Sequence, residues 1–481
     1  MAEAAMNAEF EDIQGLVRFG YKHLTQASFL LLRVRDAGAA RAWLASAPVT
    51  SAIVRKPPPA TAMQIAFTAP GLRALGLAED VIGGFSAEFL AGMGSDESRA
   101  RRLGDLGAND PARWQWGGAS QGMPHVLVML YAVPGGLDEW LAAVRSQCEA
   151  GFDLMARLGT SDLDGVEPFG FVDGISQPHV DWERKRPARD KEQFAYTNLS
   201  CLGEYLLGYP NEYGAYTDRP LLDSTRDPAA LLPRAEDDAG KADLGRNGSY
   251  LVVRQLQQDV EAFWRFIDSQ AGGDAALRRK LAEAMVGRTM EGAPLVPATA
   301  ADPLNGFSYD GDPEGLGCPF GAHIRRSNPR NADLPPGSAD PISRLVRTLG
   351  FGSKALRNDL IASTRFHRLL RRGREYGGAP GEDTGLHFIC LGANIARQFE
   401  FVQGAWLAGT KFDALAGEGD PLVGHRLPGA DGMPTDGFSI PVPSGPDCRL
   451  PGLPQFVTVQ GGAYFFLPGI RALRYLSKVL P

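Results

Sequence analysis

Four apolar runs, each leading into a stretch with helical periodicity, constrain the fold of this chain more than any other feature. Ser28 to Val34 (SFLLLRV) reads as a strand, and Asp36 then opens a helix carrying Trp43 and Leu44. His125 to Val133 (HVLVMLYAV) is followed by Leu137, Trp140, Leu141 and Val144, one face at i, i+3, i+4, i+7. Ser249 to Arg254 precedes Asp259, a candidate N-cap, and the face Val260, Phe263, Trp264, Ile267. Leu386 to Leu391 precedes Ile395, Phe399, Val402 and Trp406 at helical spacing. The units fall into two well-separated pairs. With Gln64 to Thr68 added to the first pair and Gly462 to Leu467 to the second, each half reads β-α-β-β-α-β. That arrangement predicts an α+β chain with two antiparallel sheets, each covered by helices on one face.

Composition shifts to charge, Pro and Gly between the pairs, so the expected division is 1–180, a connecting region 181–246, and 247–481. A length of 481 residues suits two or three domains. The net charge of −7 argues against nucleic acid and anionic membrane surfaces as partners. No apolar run approaches the roughly 18 residues of a membrane span, and the acidic N-terminus does not read as a secretory signal. Cys148, Cys201, Cys318, Cys390 and Cys448 are odd in number and scattered, which argues against a disulfide framework and a thiolate zinc site. The expectation is a cytoplasmic protein. A homo-oligomer is left open.

Chemistry concentrates in the irregular regions. In GFVDGISQP, Asp173 sits among apolar residues between Gly170 and Gly174, which suit tight turns or close backbone approach. A carboxylate buried there needs a partner or a task; the plainer reading is an Asp closing a turn. His323, in CPFGAHIRRSNPR, has no second His at metal-ligand spacing. Zinc needs three or four protein ligands, whereas haem iron needs one, because the porphyrin supplies four. Neighbouring arginines could pair with propionates; the plainer reading is a structural His in a basic loop. The run from His367 to Gly377, rich in Arg, reads otherwise as an exposed helix end or a phosphate contact, and Leu386, His387 and Phe388 taken alone read as core.

GFVDGISQP, CPFGAHIRRSNPR, RLLRRGREYG and GLHFICLGANIARQFEFVQ, in this order, resemble the larger dye-decolorizing peroxidases, and the resemblance covers nearly the whole chain. It implies two ferredoxin-like domains with haem b held mainly by the C-terminal half. It implies reduction of hydrogen peroxide, through a high-valent haem intermediate, with oxidation of dyes, phenolics or other bulky organic electron donors. Carried over by position, Asp173 is the distal acid–base, Arg371 the distal arginine with Arg372 as fallback, and His323 the proximal iron ligand. Leu386 and Phe388 flank the oxygen-binding side, and Arg325 is a propionate partner. Asp420 is the expected carboxylate partner of His323, although Asn394 stands where some relatives carry an acid. Gly170 and Gly174 become positions where backbone passes close to the porphyrin. An Asp base, with an ordinary pKa of about 3.9, implies activity at acid pH. Trp182, Trp264, Trp406 and Tyr376 are candidate electron relays for donors too bulky to enter. Rival expectations are a haem-handling protein of chelatase or storage type with little peroxidase turnover, and a cofactor-free ferredoxin-like binding module.

Overall fold

The computed structural model describes residues 8–94, 96–162, 164–185, 198–330, 363–378, 383–413, 415–429 and 431–478. Parts of the charged run at 182–192 and of the irregular region 292–385 therefore lie outside the described residues.

All four strand–helix units form. In the N-terminal half β1 (Gln26–Val34), α1 (Ala37–Ser46), β2 (Thr61–Phe67), β3 (Val126–Ala132), α2 (Leu137–Cys148) and β4 (Phe152–Gly159) make an antiparallel sheet of order β2-β3-β1-β4. The C-terminal half repeats the plan. It runs β5 (Ser249–Gln258), α3 (Val260–Ala271), α4 (Ala275–Val286), the short α5 (His323–Ser327), β6 (Leu370–Arg371), β7 (Arg374–Tyr376), β8 (Gly385–Gly392) and β9 (Val457–Leu467). Its order, β6-β8-β5-β9 with β7 also on β8, places second, third, first and fourth strands as in the N-terminal half. Both halves are ferredoxin-like. Asp36 and Asp259 cap their helices by accepting from Ala39 N and Ala262 N. Each satisfies one of the orphan amides of a first turn.

The two sheets are not separate. Phe466 on β9 pairs with Phe67 on β2, joining them edge to edge into a nine-stranded sheet among the described residues. This join hides what would otherwise be two open strand edges.

Helices cover one face of the sheet, as expected, and loops pack the other. Every residue of β3 is buried, so both faces of the sheet are packed. One face carries α1, α2 and the cluster around Phe85, Phe89 and Phe466; the other carries Ile13, Leu16, Tyr205, Leu206 and Tyr209 from loops. The unbroken apolar run of β3, without in–out alternation, is the signature of a doubly buried strand.

Helical periodicity after β8 resolves into two π-helical segments, Ala396–Glu400 and Val402–Ala408. Glu400, the last residue of the first, is buried and bonded to Arg99, Arg102 and Tyr464. A charge cluster from the N-terminal half thereby fastens the C-terminal segment beside which the functional cavity opens. π-helical turns are rare and concentrate at functional sites.

Candidate active site

The loop carrying Asp173 turns on two glycines with left-handed backbone, Gly170 at φ 101° and Gly174 at φ 74°. A Cβ on Gly170 would meet Met290 Cε at 3.2 Å, so the requirement for glycine is conformational first and steric second. Asp173 reaches Arg371: Arg371 Nη1 donates to Asp173 Oδ1 at 3.2 Å, and Arg371 Nη2 donates to Ser176 O at 3.4 Å. The Arg371 backbone N–H donates to Gln177 Oε1 at 3.0 Å, tying loop and strand together. Strand alternation decides between the two neighbouring arginines. Arg372 points to the other face and donates to Leu16 O and Val17 O at 2.8 and 3.0 Å.

His323 opens α5, and its Nδ1 lies 3.0 Å from Asp420 Oδ2. Asp420 is fully buried, and its other oxygen accepts from Leu422 N and Val423 N, both at 2.9 Å. A carboxylate only accepts, so Nδ1 carries the proton and Nε2 keeps its lone pair. Asn394, the alternative partner, instead accepts from Arg397 N at the start of the π-helical segment.

Electrostatics follow from these pairs. Burial drives the Asp173 carboxyl upward, but the Arg371 charge, the Gly174 N–H, the Arg371 hydrogen bond and His323 more than offset it, leaving it below its ordinary value. Burial lowers the His323 imidazole, and the charge and hydrogen bond of Asp420 overcome this to raise it. A third of the Asp173 side chain stays accessible, and that part faces a cavity.

The cavity, with its open mouth included, takes in about 1960 Å³. Asp173, Arg371 and His323 all line it, with Leu256, Leu386, Phe388, Phe399, Leu422 and Val457 forming much of its apolar wall. Leu386 and Phe388 share the cavity face of β8. His387 between them points away, buried and bonded to Gly159 O at 2.8 Å, and burial lowers its pKa to about 4.

Arg325 is a correction. It lies outside the cavity lining, buried between the rings of Tyr309 and Phe320, and its Nη1 donates to Asp312 Oδ2 at 2.9 Å and Cys318 O at 2.7 Å. Two residues along a helix do not share a face, so an arginine at i+2 from His323 turns away from it. Of the four candidate relays, Trp406 alone reaches the cavity, edge-on to His367 and Phe401 at 5.2 Å. Trp182 packs on Phe10, Trp264 lies beneath Arg278, and Tyr376 is buried against His387. Sequence reasoning passed over Glu167, Asp105 and Arg254, which also line the cavity. The signal for Glu167 was its place six residues before Asp173; Arg254, at the end of an apolar strand, gave none.

These residues fit a porphyrin better than a bare metal ion. Among the described residues no three His, Cys, Asp or Glu side chains gather as a metal site. One imidazole with a free Nε2, opening on a broad apolar cavity, is the donor set of a haem pocket.

Known proteins agree. No protein-family model matches the chain. A multifunctional dye peroxidase of Amycolatopsis sp. is 30% identical over 403 residues, 76% of this chain and 74% of that protein. A dye-decolorizing peroxidase of Auricularia auricula-judae is 26% identical over 510 residues, 98% of this chain and 87% of that protein. Among solved structures, the DyP-type peroxidase of Anabaena sp. superposes with a TM-score of 0.71 at 22% identity, covering 97% of this chain and 94% of that one. Fold and sequence together define a haem b peroxidase, an oxidoreductase that reduces hydrogen peroxide at the expense of bulky organic electron donors. The chain belongs to the dye-decolorizing peroxidase family.

Proposed function

We propose that Asp173 is the proton shuttle of peroxide reduction, that Arg371 holds the peroxide, and that His323, oriented by Asp420, is the iron ligand. Support comes from one arrangement: the Asp173–Arg371 pair and the His323–Asp420 pair open on a single cavity. Haem b, when bound, supplies the iron at which peroxide is reduced. The remaining work belongs to the chain. Ionised Asp173 takes a proton from one peroxide oxygen and delivers it to the other, which leaves as water. Arg371 stabilises charge that develops on the departing oxygen, a contribution of about 3 kcal/mol for a preorganised donor. Asp420 fixes the His323 ring and raises its basicity as a ligand. Leu386 and Phe388 present apolar surface on the same cavity and limit water there.

The donors are dyes and phenolics, the classes named for its relatives. No helix among the described residues is long and apolar enough to cross a membrane. Cytoplasmic placement rests on five cysteines that are odd in number and scattered along the chain, and subcellular fractionation of the native host tests it. Purified protein should carry a Soret band and decolorise an anthraquinone dye only with peroxide, and should stay active into acid pH because the lowered Asp173 carboxyl remains ionised there. A Soret band without peroxide-dependent turnover would overturn the reading.

A further inference from the structure

The turn that delivers Asp173 is organised by a second carboxylate. Glu167 Oε1 accepts from Phe171 N at 3.1 Å, and Oε2 accepts from Phe169 N at 3.1 Å and from Gln258 Nε2 at 2.8 Å. The same turn is closed by backbone bonds from Glu167 N to Phe171 O and from Gly170 N to Glu167 O, both 2.8 Å. Immediately beyond it, Val172 N donates to Met290 O at 3.1 Å and Asp173 N to Gly165 O at 3.2 Å. Gln258 is the last residue of β5, so one side chain couples the Asp173 loop to the central strand of the C-terminal half.

Glu167 lines the cavity yet presents no oxygen without a protein partner. Burial pushes its carboxyl up to about 7; the donors Gln258, Phe169 and Phe171 act the other way, and Asp173 is the charged neighbour that adds to the rise. A residue placed this way touches neither peroxide nor the Arg371 guanidinium. What it governs is the backbone from which Asp173 projects.

We propose that Glu167 is a positioning residue for proton transfer at Asp173, clamping the 167–171 turn to β5 and thereby fixing the reach of Asp173 to Arg371. The inference rests on Asp173 being the proton shuttle. A displacement of about 1 Å in a reacting group can cost about 100-fold in rate, so a small relaxation of the turn is enough.

The test is a double-mutant cycle on the holoenzyme, pairing Glu167→Ala with Asp173→Asn. Three quantities are measured: the second-order rate constant with hydrogen peroxide by stopped flow, kcat/KM for the donor at saturating peroxide, and amide exchange across 165–173. Glu167→Ala should slow the peroxide step by about 10- to 100-fold with haem content and donor kcat/KM unchanged. Exchange at Phe169 and Phe171 should accelerate. Glu167→Gln should recover part of the rate, because its Oε1 still accepts one amide. In the Asp173→Asn background Glu167→Ala should cost nothing further. An equal loss in both backgrounds would overturn the proposal, as would an unchanged peroxide rate in a folded Glu167→Ala protein, or a parallel fall of haem content and donor turnover. If Glu167→Ala does not accumulate, Gln258→Met removes the side-chain donor to Oε2, leaving Phe169 N, and is read by the same criteria. An Asp173→Asn enzyme reacting with peroxide at the wild-type rate would instead remove the Asp173 assignment itself.

Discussion

Arg371→Leu separates two contributions that the wild-type enzyme combines. The substitution deletes the hydrogen bonds to Asp173 Oδ1 and Ser176 O and removes the charge beside Asp173, while the backbone bond to Gln177 survives. Losing a preorganised donor costs about 2.7–4 kcal/mol, or roughly 10²- to 10³-fold in the peroxide step at its optimum. The charge acts on the pH profile instead. Burial is the largest influence on Asp173 and raises its pKa; Arg371 is the first of the groups that reverse this. Without it, the Gly174 N–H and His323 are left to oppose burial, so the Asp173 pKa rises. The base works ionised: the wild-type rate is lost only as pH falls through a lowered pKa, and the variant must lose it at higher pH. Stopped-flow measurement of the peroxide-dependent Soret change between about pH 3 and 7 reads both effects. A uniformly slower rate with an unmoved acid limb, or a limb displaced to lower pH, would refute the electrostatic role of Arg371.

Other outcomes follow from the same geometry. His323→Ala should abolish or weaken haem retention, seen as a lost Soret band at unchanged far-UV circular dichroism. Asp420→Asn should keep the fold yet reduce haem affinity or the peroxide rate about 10- to 100-fold, the usual cost of losing a ligand's outer partner, measured by haem titration and stopped flow. Glu400→Ala leaves Arg99 largely buried without its carboxylate. It should destabilise the protein by about 3–5 kcal/mol, read from the urea midpoint, and loosen the π-helical segment at the cavity.

The repeat was legible because core strands such as Val126–Ala132 are continuous apolar runs bounded by polar residues. β4 was not: it lies at the end of the strand order, and only Phe152 and Leu158 in it are fully buried, so its sequence shows no strand pattern. β6 and β7, two and three residues long, read as an exposed helix end or a phosphate contact because they lie in an arginine-rich run. The single pairing of Phe67 with Phe466 that fuses the two sheets has no local signal. At the site, Asp173, Arg371, His323 and Asp420 were named from motif and resemblance; the fold brings the first three onto one cavity and sets Asp420 behind His323. Arg325 was misread because proximity in sequence was taken for proximity in space, where helix geometry turns it toward Asp312. Glu167 was passed over because an acid before Pro-Phe-Gly reads as a surface residue until its three donors are seen.

The central claim is that Asp173 moves the proton that lets peroxide break. It is tested most directly by mixing haem-loaded wild-type and Asp173→Asn proteins with hydrogen peroxide at acid pH and following the Soret band. General acid–base catalysis contributes about 10²- to 10⁴-fold, so the variant should react at least about 100-fold more slowly with haem content unchanged. Equal rates in the two proteins would contradict the account.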